Sequence, residues 1–220
     1  KVFCVFLVGS SIGMGNMTQA NSVSASLAAF GVKPMITGII LSLLTFAIIS
    51  GGIKRIAAFA EKLIPALSAI FMLASFTVIA VNRRSLPACL KLILKQALSK
   101  KGVAGFGMAK AARYGVARGV FSNEAGLGRS PIIHAAADTD SAATQGYWGM
   151  LEVFIDTVFM CTVTALAILT SGAGEGKNGI DMSAAAFASV FGSAGDIFIR
   201  LCVVLFAFAT IASWSYYGKV

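Results

Sequence analysis

Phe121-Ser122-Asn123-Glu124-Ala125-Gly126-Leu127-Gly128 is a polar, glycine-punctuated octapeptide set between apolar spans. A carboxylate, an amide and two glycines stand out in this chain, which is 57% hydrophobic and 12% charged, with a mean hydropathy of +0.84. That much apolar surface exceeds what a water-soluble domain of 220 residues can bury. The apolar segments are continuous runs near bilayer length, so the spanning element is the helix, which satisfies its own backbone in lipid. The expected fold class is all-α: a polytopic helical membrane protein in a lipid bilayer.

The net charge of +9 does not point to nucleic acid, because Lys and Arg fall mainly between the spans without interleaved aromatic residues. Anionic lipid headgroups are the better partner. Cys4, Cys161 and Cys202 lie in apolar runs and Cys89 in a basic stretch, with no metal-ligand or paired spacing, so they read as core fillers. The chain starts at Lys1 inside an apolar run and stops at Val220 just after one, which reads as an internal fragment.

Outward from the octapeptide toward the N-terminus lies the most basic stretch, Asn82 to Arg118, with Arg83, Arg84, Lys91, Lys95, Lys100, Lys101, Lys110, Arg113 and Arg118 and no acidic residue. Within it Leu86, Leu90, Ile93, Leu94, Ala97 and Leu98 share a helical face, the pattern of an amphipathic helix in the headgroup region. Before it come three expected spans, at about residues 2–30, 35–50 and 63–81. Lys54, Arg55, Glu61 and Lys62 form a short charged connection, and Pro65 is tolerated in the first turn of the third span. The first span is the least oily: Asn16, Gln19, Val23 and Ser26 recur on one side, and Gly13 and Gly15 permit close backbone approach. Gln19 fits interhelical hydrogen bonding and ligand contact equally well.

Outward toward the C-terminus, His134 and Asp138 would share a helical face, but no third ligand or nucleophile accompanies them, which favours a solvated connection over a metal site or a hydrolase. A span follows at 147–171, with Glu152 and Asp156 one turn apart near its start. Pairing with Arg from the basic stretches is favoured over a transport role for these carboxylates. A loop over 172–181 leads to a last span at about 197–217, entered through Asp196 and Arg200 at i,i+4 spacing. At its far end Thr210, Ser213 and Trp214 fall within about one turn, where the hydroxyls either back-bond to their own helix or coordinate a small hard cation.

By hydropathy alone the octapeptide is a loop. The alternative is a broken helix, at about 105–137, whose unwound peptide groups line a cavity and bind substrate or ions. Gly126 and Gly128 supply the backbone freedom, and Asn123 and Glu124 can hydrogen-bond the freed helix ends or an amine.

Four motifs in order, Gly15-Asn16-Met17-Thr18-Gln19-Ala20-Asn21-Ser22, Gly51-Gly52-Ile53-Lys54-Arg55-Ile56, Arg118 to Gly128, and Leu151-Glu152-Val153-Phe154-Ile155-Asp156-Thr157, resemble the alanine or glycine:cation symporter family. The resemblance covers almost the whole chain, with Lys91 to Lys110 matching poorly. It implies a multi-pass protein of the cell membrane, of the bacterial or archaeal inner-membrane kind, on a partial inverted-repeat fold of the leucine-transporter type with one broken helix. It also implies symport of a small neutral amino acid such as alanine or glycine with sodium as coupling ion, and neither an enzyme nor an organic cofactor. On this resemblance Gln19, Phe121, Ser122, Asn123, Gly126, Gly128, Thr210 and Trp214 contact substrate, and Thr210 and Ser213 supply oxygens to sodium. It places the Lys54-Arg55 and Arg129 connections inside and the Asn82 to Arg118 segment outside, against the positive-inside rule. Either part of the basic segment belongs to the broken helix, or the orientation is reversed. An ion channel or structural membrane subunit is the rival from another class.

Overall fold

The computed structural model describes residues 2–97 and 106–217, which contain helices and no strand. In chain order we label them α1 (residues 2–28), α2 (Pro34–Ile49), α3 (Gly52–Val81), α4 (Leu86–Ala97), α5 (Phe106–Asn123), α6 (Ser130–His134), α7 (Ala142–Ser171), α8 (Ile180–Phe191) and α9 (Ser193–Tyr217). Helices α3, α7 and α9 are long and apolar enough to cross a membrane, and α2 and α8 are shorter apolar helices. Two of the helices change pitch: α1 carries a π-helical segment at Ser11–Met17, and α7 carries one at Phe154–Met160.

The chain forms two compact units, one of residues 1–74 with 173–220 and the other of residues 75–172. In the first, α9 packs against α8, α1 and α2. Its buried face is rich in small residues, Ala207, Ala209 and Ala212, which let neighbouring backbones come close. Phe187 on α8 is fully buried, stacked with Phe71 at 5.8 Å and beside Phe198 at 6.2 Å. Arg200 on α9 is held by Asp196 at 3.0 Å, the expected i,i+4 pair, and by Asp181 of α8 at 2.8 Å. Met35, Ile39, Leu43 and Phe46 of α2 are exposed, as a lipid-facing surface would be.

In the second unit Phe76 lies 6.1 Å from Phe159 of α7, and the Cys89 thiol on α4 donates to the Leu169 carbonyl at 3.4 Å. Cys202 is buried, whereas Cys161 is exposed and so is not the core filler expected.

Several extents differ from the sequence reading. Lys54, Arg55, Glu61 and Lys62 belong to the first turns of α3 rather than to a connection, and Pro65 falls inside that helix rather than in its first turn. The helix runs on from Gly52 to Val81 although Pro65 has no amide to donate, and charged residues are compatible with the end of a 30-residue helix that extends beyond the hydrocarbon. Helix α8 was not anticipated at all. The start of α7 is Ala142, capped by Ser141, whose hydroxyl accepts the Thr144 amide at 3.2 Å. Leu98 of the amphipathic face, Lys100, Lys101 and the start of the expected broken helix at 105 lie outside the described residues.

Candidate functional site

The octapeptide is the end of one helix and a tight irregular turn. The Glu124 amide makes the last helical bond of α5, to the Val120 carbonyl at 2.9 Å. The backbone then turns left-handed at Glu124 (φ 54°), Gly126 (φ 79°) and Gly128 (φ 78°) before α6 begins at Ser130. Glycine takes that conformation freely, but a residue with a Cβ pays on the order of 1 kcal/mol for it. Two side chains support the strained position. The Asn123 carbonyl oxygen accepts the Ala125 amide at 2.9 Å, and Glu124 pairs at 3.3 Å with Arg129, which is buried.

The same octapeptide is joined to the π segment of α7. Ser122 donates to Asp156 Oδ2 at 2.6 Å, Asn123 Nδ2 donates to the Thr157 hydroxyl at 3.0 Å, and that hydroxyl donates to Asp156 Oδ2 at 3.1 Å. The π pitch is visible in the Cys161 amide, which donates to the Asp156 carbonyl five residues back. Phe121 is half-buried in the last turn of α5, and Gly126 and Gly128 are exposed. The expected pairing of Glu152 and Asp156 with Arg is not what is found among the described residues. Asp156 is held by hydroxyls, and Glu152 lies 3.7 Å from His134 Nε2. His134 ends α6 and its Nδ1 is 2.7 Å from Gln145, so its partners are Gln145 and Glu152 and not Asp138.

In the other unit, Gln19 is half-buried on the segment Thr18–Ala28 and has no hydrogen-bond partner among the described residues, and the buried Asn16 Oδ1 in the π segment likewise has none. Thr210 and Ser213 back-bond at 2.9 Å to the Phe206 and Ala209 carbonyls, the first of the two alternatives open for them. Back-bonding uses the hydroxyl proton and leaves lone pairs on each oxygen. Trp214 is 4% exposed, with its indole edge-on to Tyr217 at 5.5 Å and lying against the backbone of Gly15, where a Cβ would overlap the ring. Gly15 thus makes the close approach expected of it. The sequence reading did not put Arg129, Asp156 or Thr157 in the site. The signal was present in Asp156-Thr157, a polar pair inside an apolar span.

A family model described as the sodium:alanine symporter family matches residues 1–220. The chain is 38% identical over 92% of its length to an uncharacterised transporter, YflA, of Bacillus subtilis, covering 45% of that protein. It is 38% identical over 99% of its length to the sodium/alanine symporter AgcS of Methanococcus maripaludis, covering 49% of it. It is 37% identical over 99% of its length to the probable sodium/glutamine symporter GlnT of Bacillus subtilis, covering 46% of it. The chain therefore spans about half the length of the curated relatives it matches. Matched along its whole length, it belongs to the sodium:alanine symporter family, a family of transporters and not of enzymes.

Proposed function

We propose that the full-length transporter carries a small neutral amino acid, of alanine or glycine size, across the cell membrane together with sodium. Substrate contacts Gln19, Thr210 and Trp214, the side chains of Phe121, Ser122 and Asn123, and the backbone at Gly126 and Gly128. Thr210 and Ser213 supply oxygens to sodium. The observation that carries the reading is the helix stop at Asn123, followed by the left-handed turns at Glu124, Gly126 and Gly128. Peptide groups freed at a helix end are the groups with which transporters hold a substrate's charged ends, and they are tolerated in a membrane only where they face protein or a cavity. The Gln19 amide suits a carboxylate or an ammonium. Bound sodium favours the occupied state, and alternating exposure of the site follows from rocking of one helix bundle against the other.

Relatives named for alanine and for glutamine make the side chain the open variable, and an indole fixed against Gly15 is a rigid wall with which to limit it. The test is uptake by the full-length protein of alanine, glycine and glutamine, in sodium and in choline. Concentrative, saturable, sodium-dependent alanine or glycine uptake, lost in Gln19→Ala, is expected. Unsaturable flux of ions alone would favour a channel, and alanine uptake unchanged in Gln19→Ala would remove that residue from the site.

A further inference from the structure

We propose that Asp156, with the hydroxyls of Ser122 and Thr157, forms a sodium site. The inference deepens the reading above and rests on sodium being the coupling ion. Asp156 is the fifteenth residue of the 30-residue helix Ala142–Ser171, which is long and apolar enough to cross a membrane. At 1.5 Å per residue it lies roughly 20 Å from either end, well inside a hydrocarbon layer about 30 Å thick. This depth differs from the sequence reading, which put the carboxylate near the start of a shorter span and so near the headgroups.

An ionised carboxylate at that depth is costly unless a cation accompanies it. No Lys, Arg or His pairs with Asp156 among the described residues. Two hydroxyls meet it, Ser122 at 2.6 Å and Thr157 at 3.1 Å, both on Oδ2. Carboxylate and hydroxyl oxygens are hard ligands suited to a small hard cation, and each hydroxyl can turn its proton away and offer a lone pair. Asn123 Nδ2, donating to Thr157 at 3.0 Å, already directs that oxygen's remaining capacity toward Asp156. Ser122 stands one residue before the end of α5, so an ion here would link the π turn of α7 to the octapeptide. Sodium would then bias the backbone that we propose holds substrate, which is what coupling requires.

The experiment uses the purified full-length transporter and reads thermal stability in sodium chloride against choline chloride, beside uptake in vesicles. Wild type should be stabilised by sodium, and Asp156→Asn should lose most of that shift and need at least about tenfold more sodium for half-maximal uptake, the equivalent of about 1.4 kcal/mol. Should Asp156→Asn not fold, Ser122→Ala and Thr157→Val each remove one ligand and should raise the half-saturating sodium severalfold. A full wild-type sodium response in Asp156→Asn, or in both hydroxyl variants, overturns the site. If the wild type binds sodium through Asp156 but carries no amino acid, the proposed substrate fails and the ion site stands.

Discussion

Helix α1 meets α9 at a π turn, and the octapeptide meets α7 at another, but the two seams are held by opposite means. In the first, hydroxyls are spent within their own helices: Ser22 on Thr18, Ser26 on Ser22, Thr210 on Phe206 and Ser213 on Ala209. Across that seam Gly15 lies against the Trp214 indole. In the second, hydroxyl and amide groups reach between helices, Ser122 to Asp156 and Asn123 to Thr157, and an ion pair closes the turn beside them. Close packing resists separation by shape. A polar network resists it by the cost of leaving its members unpaired, and it can exchange partners with an ion or a ligand.

The largest expected effect is at the ion pair. Glu124→Gln removes the carboxylate that pairs with the buried guanidinium of Arg129, and with it an anchor of a left-handed non-glycine residue. Breaking a buried pair on one side costs about 3–5 kcal/mol. Because Glu124 is 20% exposed, about 2–3 kcal/mol is expected. A fall in the melting temperature of the full-length protein in detergent checks it, with exposed Glu61→Gln as the near-neutral control. An equal, small effect of both would mean that the octapeptide turn is held by its glycines alone.

The packed seam should break differently. At Gly15 a methyl group overlaps the Trp214 indole, whereas at Gly13 it meets nothing within 4 Å. Gly15→Ala should therefore destabilise by about 1–3 kcal/mol, the usual cost of overpacking. Gly13→Ala should be neutral or stabilising by up to about 1 kcal/mol, since alanine is the better helix former. Thermal melts of the two variants side by side separate a steric seam from a general requirement for a pliant helix.

The unequal legibility of the two seams has a physical cause. Continuous apolar runs made the helical class readable, and Gly126 and Gly128 marked the turn, because glycine's backbone freedom is a local property. Gly15 was readable as a contact position for the same reason. Glu124 in a left-handed conformation was not readable, because it depends on Arg129 five residues later. The π segments left no trace in hydropathy: one extra residue in a turn changes which side chains face inward without changing composition. The placement of Asp156 was missed because α7 starts at Ala142, where the cap is Ser141, and not at residue 147. Helix α8 was missed because its burial depends on Phe187 meeting Phe71, far away in sequence.

The smallest expected difference tests the comparison most directly, because it makes one chemical change in both seams. Thr157→Val removes a hydroxyl that accepts from Asn123 and donates to Asp156, leaving two polar groups short of a partner. Thr210→Val removes one that, among the described residues, donates to the Phe206 carbonyl, which already serves its own helix. Valine matches threonine in shape, so the difference reports hydrogen bonding rather than volume. Thr157→Val should cost about 1–2 kcal/mol and Thr210→Val less than about 0.5 kcal/mol in thermal melts of the full-length transporter without substrate. Equal costs would show that the hydroxyls of both seams act only within their own helices. A larger cost at Thr210 would reverse the assignment, making α9 the helix whose hydroxyl holds a partner across the seam.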